Sequence, residues 1–413
     1  MYPHAGAVPA RFRFMQHDHG EIMSKAAGLK TRIAVAVATA LTILAGSSTA
    51  AQAQSSVTLY GIIDEGLNYT SNAKGHGTFQ MKSGDTFGSR WGIAGSEDLG
   101  GGTRALFRLE NGFDVNSGAF RQGGREFGRQ AWVGLQSDRL GTLSFGRQYD
   151  PTIDLWSGLT GAGGVSGDVA SHPFDNDNAD FDFRVNNSVK YTSPNFNGLK
   201  AEAMYGFSND TGFANNRLYS AALQYKLAGL TAALGYLKID AGGSANGAVS
   251  TDAVFTGSSE QNIVAGLSYA FAATKLGLAY SHVDVYDPTA NAYIASTATR
   301  PPGGRWQSWK FDNFEVNAKY AFTPSLWLFG AYTFTEARLH ASTGDFEPKW
   351  HQLSLMLDYD LSKRTSLYMQ AAYQHVVSAH TGTAFDFATT PASAGASSGE
   401  NQTLVRLGMI HRF

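Results

Sequence analysis

Segments in which apolar and polar side chains alternate recur along the chain from residue 57 to the last residue. Within residues 103–110, Ala105, Phe107 and Leu109 fall on one face of an extended strand, while the other face is charged. Many of these segments are about ten residues long, the length that a tilted strand needs to cross a bilayer, whereas strands of soluble sandwiches average about five or six. Strands are predicted at residues 57–63, 103–110, 199–207, 217–226, 230–238, 262–271, 275–286, 311–322, 326–337, 350–359, 366–377 and 403–413.

The connections between these segments alternate between short and long. Seven short turns and eight long loops make fifteen connections and therefore sixteen strands, and this asymmetry is typical of outer-membrane barrels. We therefore predict an all-β fold, a 16-stranded antiparallel transmembrane β-barrel; the alternative is a soluble β-protein with its aromatic residues in the core. The turns are predicted at residues 98–102, 137–141, 193–198, 227–229, 272–273, 323–325 and 361–364. The loops are predicted at residues 70–85, 113–125, 150–183, 208–216, 239–260, 287–309, 338–348 and 378–401.

The first part of the chain reads as an export signal. Lys25, Lys30 and Arg32 precede an apolar run at residues 33–45, and an A-x-A pattern ends at Ala53. The run is shorter than the roughly 20 residues that a membrane-spanning helix needs, although a short buried helix or an anchor is the alternative. We predict an upstream extension at residues 1–22, a signal peptide at 23–53, and one barrel domain at 54–413.

Composition excludes several other classes of protein. The chain has no cysteine, so disulfide scaffolds, zinc ribbons and cysteine nucleophiles are ruled out. A formal net charge of −2 lacks the basic field of a nucleic-acid binder, and we expect no nucleic-acid partner. Only 16% of residues are charged, below the roughly 25% of soluble domains, which fits strands with one face in lipid. Aromatic residues near the predicted strand ends, where an interfacial girdle belongs, are Tyr60, Tyr191, Tyr225, Tyr269, Tyr280, Tyr320, Tyr359 and Phe413.

Six stretches resemble Gram-negative general diffusion porins of the beta-proteobacterial type. They are residues 54–61 (QSSVTLYG), 89–102 (SRWGIAGSEDLGGG), 129–135 (RQAWVGL), 145–149 (FGRQY), 187–194 (NSVKYTSP) and 408–413 (GMIHRF). The resemblance implies a water-filled outer-membrane pore, usually a homotrimer, that passes ions and small hydrophilic solutes without a cofactor. It also implies that the third long loop, 150–183, folds into the lumen and sets the constriction. Phe413 resembles the terminal signal that the barrel insertion machinery reads.

Alternation assigns several arginines to the lumen. Trp91 and Ile93 are expected to face lipid, which puts Arg90 inside. A lipid-facing Trp132 would likewise put Arg129 inside.

Two further arginines complete the predicted set. Arg184 stands where the long loop returns to the wall, and Arg90, Arg129 and Arg184 match the positions from which the family draws a basic cluster at the constriction. Arg108 faces the lumen by alternation and can join them, with Glu110 as a partial counter-charge. The alternative is that all four are ordinary lumen charges solvated by water.

The opposing wall is expected to be the inserted loop. Asp168, near its middle, is the best candidate to face the arginines, whereas the other acids cluster on the return limb and are expected at the mouth. More arginines than acids at the constriction predict a weak to moderate preference for anions.

Three other functions are alternatives to a general pore. A barrel enzyme is disfavoured because no G-x-S-x-G or H-E-x-x-H motif occurs, and we expect neither catalytic residues nor a metal site. A substrate-specific channel would need an aromatic slide or a lysine ladder along the lumen, and neither is evident. A structural adhesin would conduct no ions.

Overall fold

The computed structural model describes residues 55–241, 246–249, 252–294 and 300–413. The predicted upstream extension and signal peptide lie outside the described residues. The strands are β1 Ser56–Ala73, β2 His76–Ser83, β3 Arg90–Gly100, β4 Thr103–Gly112, β5 Gln130–Ser137, β6 Gly141–Gln148, β7 Val185–Thr192, β8 Leu199–Gly206, β9 Arg217–Leu227, β10 Leu230–Asp240, β11 Phe255–Thr256, β12 Ser259–Phe271, β13 Thr274–Tyr286, β14 Ala290–Asn291, β15 Trp306–Thr323, β16 Leu326–Ala341, β17 Gly344–Phe346, β18 Lys349–Asp360, β19 Thr365–Val377 and β20 Asn401–Arg412.

These strands form a closed antiparallel barrel, because β1 pairs with β20 at the other end of the chain. β2 and β3 both pair with β1 and together occupy one position in the wall. β17 pairs with the end of β16, on the same side as β18. β11 and β14 form a separate two-stranded sheet. The barrel of the described residues therefore has sixteen strands, which confirms the predicted count.

The seven predicted turns are all present, but the loop predicted at residues 70–85 is wrong. Instead, β1 continues to Ala73 and a tight turn at Lys74 and Gly75 leads directly into β2. Both turn residues have positive φ, 53° and 94°, as a type I′ hairpin turn requires. The polar composition of this stretch concealed a hairpin whose Tyr69 and Phe79 rings pack 4.8 Å apart.

The faces of the wall follow the alternation within each strand, but three aromatic features differ from the prediction: Tyr60, Trp132 and the loop end of β15 and β18. Tyr60 was predicted in the outer girdle, but its hydroxyl donates to Glu110 Oε2 on the lumen side at 2.9 Å. At the loop end of β15 and β18 the lumen face is apolar, since Trp309, Phe311 and Trp350 are fully buried there. Phe385 packs against Trp309 with ring centroids 5.0 Å apart. Part of the lumen is thus filled by an aromatic core.

The third loop spans residues 149–184 between β6 and β7 and lies inside the barrel. It begins with a short helix, α1 Pro151–Leu155, whose N-cap Asp150 accepts from Thr152 N at 2.8 Å. Short helical turns follow at Ser157–Leu159, Ala162–Ser166, Gly167–Ala170 and Pro173–Asp175, and another occurs at Ala384–Asp386.

Contacts with inward-facing side chains hold the third loop in the lumen. Trp156 Nε1 donates to Ala265 O at 2.8 Å, and Ser354 Oγ donates to Val169 O at 2.9 Å. Most of the loop is buried as a result. No helix in the described part of the chain is long and apolar enough to cross a membrane.

Candidate pore constriction

A cavity of about 200 Å³ lies between the third loop and the wall formed by the first strands. Arg90, Arg129, Arg184 and Asp168 all line it. Residues far apart in the sequence therefore meet in one cavity inside the barrel. Within the described chain, no group of three or more histidine, aspartate or glutamate side chains is placed to hold a metal ion.

Tyr149, at the start of the third loop, holds two of the arginines together. Its hydroxyl accepts from Arg129 at 2.9 Å and from Arg184 at 2.7 Å. The Arg184 guanidinium also lies over the Tyr149 ring, 4.9 Å from its centroid. Arg129 donates in addition to Glu110 Oε1 at 2.9 Å. These contacts leave few positions open to either guanidinium and fix both charges at the cavity wall.

Arg129 lines the cavity for a reason other than the one predicted from the sequence. Val133 is 57% exposed on the lipid face, so Trp132 faces the lumen, where its Nε1 donates to Gln130 Oε1 at 3.0 Å. Strict alternation would then turn Arg129 outward. Because β5 begins only at Gln130, Arg129 belongs to the preceding bend and is free of that alternation.

Arg108 faces the lumen as predicted but does not line the cavity. Its guanidinium lies over the rings of Tyr60 and Trp132, 5.7 Å and 5.9 Å from their centroids. Tyr60 hydrogen-bonds Glu110, the partner of Arg129. Arg108 is therefore a lumen cation that does not line the cavity.

The acidic side of the cavity is larger than the sequence indicated. Asp180 and Asp182 line it together with Asp168, so the expectation that they lie at the mouth is wrong. The return limb folds back into the lumen, where the Tyr293 hydroxyl hydrogen-bonds Asp182. Burial raises the pKa of Asp168 to about 6, and a hydrogen bond to Asp180 and the Lys82 ammonium oppose that rise.

Two further contributors to the cavity are not predicted by the alternation or the resemblance. Arg121, from the loop after β4, lines it and is paired with Asp114 at 3.1 Å. The stretch 84–89 between β2 and β3 also lines it, although its residues carry no charge apart from Asp85. Only the basic residues of the loop after β4 offered a signal for the first of these.

A buried histidine ties the third loop to the opposite wall. His172 contacts Asp177 through Nδ1 at 2.7 Å and Glu315 through Nε2 at 3.0 Å, and all three side chains are buried. Burial lowers the pKa of His172, but the two carboxylates outweigh that effect and raise it to about 10. The imidazolium therefore bridges the loop and β15 at neutral pH.

Phe413 ends the chain next to the first strand. Its backbone exchanges hydrogen bonds with Gly61, at 3.0 Å and 3.1 Å, and its side chain is 42% exposed. A Cβ at position 61 would lie 2.2 Å from the Phe413 ring, so the glycine makes room for it.

Comparison with known proteins places this architecture in a family. The family model for Gram-negative porins matches residues 38–378. An outer membrane porin protein of Bordetella pertussis is 33% identical over 376 residues, which cover 81% of this chain and 92% of that protein.

Two solved structures share the fold. The anion-selective porin from Comamonas acidovorans has a TM-score of 0.64 and 23% identity, covering 87% of this chain and all of that one. An outer membrane protein of Vibrio cholerae, solved in a trimer form, has a TM-score of 0.56 and 15% identity, covering 87% of this chain and 99% of that one. With the family match and the closed barrel together, the chain belongs to the Gram-negative porins and is a passive diffusion pore of the outer membrane, not an enzyme.

Proposed function

We propose that the pore prefers anions and that Arg90, Arg129 and Arg184, facing Asp168 on the third loop, set this preference. The observation that carries the proposal is that these four residues line one cavity. Arg108 adds positive charge beside it. The Comamonas protein is named for the same preference, but the proposal rests on the arginines of this chain.

The balance of charge at the cavity supports a positive potential. Four arginines and three aspartates line it. Guanidinium groups stay protonated at any physiological pH, whereas burial favours the neutral form of Asp168. The acidic side is therefore partly neutralised by protons and the basic side is not.

Reversal potentials in a KCl gradient across a planar bilayer test the proposal. We expect anion preference for the wild type and a shift toward cations for Arg129→Glu. A unit charge about 4 Å from an ion in water-like surroundings changes its energy by about 1 kcal/mol, so the reversal from +1 to −1 changes it by about 2 kcal/mol, roughly thirtyfold in permeability. Arg139→Glu, in an exposed periplasmic-side turn, is the control. Clear cation preference of the wild type would contradict the proposal.

A substrate-specific channel remains the second candidate, because the aromatic core narrows the lumen. Single-channel recordings with and without candidate sugars, phosphate or dicarboxylates separate the two functions. Large steps that no solute blocks support a general pore. Concentration-dependent block by one class of solute supports a specific channel.

We also infer that the chain assembles as a homotrimer in the outer membrane. The trimer form of the Vibrio cholerae structure supports this assembly. Outward side chains of β1, including Val57 and Leu59, form an apolar surface that a second copy or lipid can cover. Light scattering in detergent should give three times the mass of one chain, and a monomeric mass would contradict the inference.

We propose that Phe413 is the signal through which the insertion machinery recognises the chain. Support comes from its place directly after β20, the alternating strand that closes the barrel against β1. Phe413→Ala should reduce the folded barrel in outer-membrane fractions, as measured by heat-modifiable migration, while Phe413→Tyr should not. Equal yields for both variants would contradict the proposal.

A further inference from the structure

The stretch 84–89, called here the inward turn, leaves the barrel wall between β2 and β3. β1 pairs with β2 up to Ser83 and with β3 from Arg90, so the six residues between them make no ladder contact. They enter the lumen instead, and Thr86, Phe87 and Gly88 line the constriction cavity beside Arg90. The inward turn thus forms part of the cavity lining together with the third loop.

A buried arginine at the far end of the chain holds the base of this turn. Arg406, on β20, is fully buried and donates to Tyr368 Oη at 2.7 Å. It also donates to Asp64 Oδ1 at 3.1 Å and to Asp85 Oδ2 at 3.3 Å. Further bonds reach Asn68 Oδ1 at 2.8 Å and Lys82 O at 2.9 Å. One side chain therefore joins β20, β19, β1, β2 and the inward turn.

Asp64 links Arg406 to the backbone of the inward turn. Its second oxygen, Oδ2, accepts from Thr86 N at 2.8 Å and from Phe87 N at 3.0 Å. The Asp64 backbone carbonyl accepts from Ser89 Oγ at 3.0 Å. Because Arg406 fixes the Asp64 carboxylate, it fixes the peptide groups that face the cavity.

The inward turn in turn holds the tip of the third loop. Asp168 N donates to Asp85 O at 2.7 Å. Gln370 bridges the two segments, since it accepts from Thr86 Oγ1 at 3.2 Å and donates to Ser166 O at 2.8 Å. At Gly167, φ is +58° and a Cβ would lie 2.1 Å from Asp85 O, so the approach requires glycine.

The network is electrically balanced. Arg406 and Lys82 supply two positive charges, and Asp64 and Asp85 supply two negative charges. Such a set contributes little net potential to the lumen. Removing one member, in contrast, leaves a buried charge without its partner, which is strongly destabilising locally.

We propose that Arg406 is a positioning residue of the pore, which holds the inward turn and through it the tip of the third loop. It sets the size limit and the steadiness of the open channel and leaves ion selectivity to the cavity arginines. This inference rests on the proposed function only in that the third loop forms the constriction.

Arg406→Gln is the primary test, with Arg406→Lys as the conservative variant. Lys200→Gln, which removes a cation paired with Glu202 on its own strand, is the matched control. We expect Arg406→Gln to admit larger neutral oligosaccharides in liposome swelling, with a severalfold faster uptake near the size limit, and to increase open-channel current noise. Arg406→Lys should recover part of the wild-type behaviour, because one ammonium can replace only some of the bonds.

A spectroscopic readout separates positioning from a general structural effect. The chain has no cysteine, so Val165→Cys carries a single spin label next to the tip of the third loop. Labelled Arg406→Gln should give a more mobile spectrum than the labelled wild type, and labelled Arg406→Lys, which keeps the positive charge, should give a spectrum between the two. Unchanged size limit, noise and label mobility in a folded Arg406→Gln barrel would overturn the proposal, as would a selectivity shift without a change in size limit.

A second variant serves if Arg406→Gln does not fold. Gly167→Ala leaves the Arg406 network intact and pushes the third loop away from Asp85, so the same increases in size limit and mobility are expected. Wild-type behaviour of Gly167→Ala would overturn the proposal. Cation preference of the wild-type pore would contradict only the proposed selectivity, because size limit and label mobility are measured independently of it.

Discussion

At the scale of single residues, burial and neighbouring groups determine the pKa of Asp168. Its carboxyl is within 3.6 Å of the Lys82 ammonium, yet burial raises its pKa to about 6. Asp180 shares a hydrogen bond with it, so the two carboxyls titrate as a pair. The arginines across the cavity stay charged throughout this range. The charge balance of the cavity therefore depends on pH through its carboxyl groups alone.

Anion preference should increase as the pH falls through about 6. A raised carboxyl pKa means that the proton is bound below that value, so the loop loses negative charge on acidification. Reversal potentials measured on either side of pH 6 should reveal the change, which Asp168→Asn should reduce. Asp138→Asn, in an exposed turn, is the control. A selectivity that stays flat across this range in the wild type would contradict the prediction.

At the scale of one element, the third loop is positioned by polar contacts to several strands. His172 between Asp177 and Glu315 is the most buried of these contacts. Its pKa of about 10 lies above the unfolded value of about 6.5, so its contribution to stability is complete below pH 6.5 and is lost as the pH rises through 10. At neutral pH His172 is therefore charged and anchors the third loop to β15.

His172→Leu should release the third loop without opening the barrel. Two buried carboxylates would lose their partner, at a local cost of about 3–5 kcal/mol. We expect faster proteolytic cleavage within the loop and noisier open-channel currents. His340→Leu, which breaks an exposed pair with Asp345, is the control. Identical cleavage rates for the two variants would argue against an anchoring role.

At the scale of the whole molecule, the barrel wall separates two environments, lipid outside and the lumen inside. Leucines, tyrosines and phenylalanines cover the outer face, and polar groups with the third loop occupy most of the inner one. Sixteen strands leave a lumen wide enough for an inserted loop, and closure by β1 and β20 removes free strand edges. The lumen is thus narrowed by segments that fold inside the barrel and not by the strands of the wall.

Neighbouring positions on β9 should differ sharply in their tolerance of charge. Leu223 is 49% exposed on the lipid face, whereas Gln224 faces the lumen and donates to Leu155 O. Leu223→Arg should lower the free energy of unfolding in lipid vesicles by about 2–4 kcal/mol near mid-membrane. Gln224→Arg should have a much smaller effect. Denaturant titrations of both variants measure the difference, and equal losses would contradict the assigned faces.

Much of the fold and part of the constriction were open to prediction from the sequence. Alternation placed Arg90 and Arg108 on the lumen side, where the structure has them. The assumption that Trp132 faces lipid was wrong, and Arg129 lies inside because it precedes β5 and is free of that alternation. The placement of Tyr60 in the girdle, which depended on its position near a strand end, was also wrong, since Tyr60 bonds Glu110 on the lumen side. Alternation predicts the face of a strand on which a side chain lies, but it does not identify the side chains of other strands that it contacts.

What the sequence alone determined was the class of fold, the strand number and the two faces of the wall. These depend on residues close together in the chain, since a period of two and local turn residues suffice to specify them. Only the tertiary structure decided which charges meet in the lumen. Arg406 and Asp64 are 342 residues apart, and the inward turn reaches the third loop only because the barrel closes. Local sequence patterns do not predict such contacts, because the contacts form only when strands distant in the sequence are brought together.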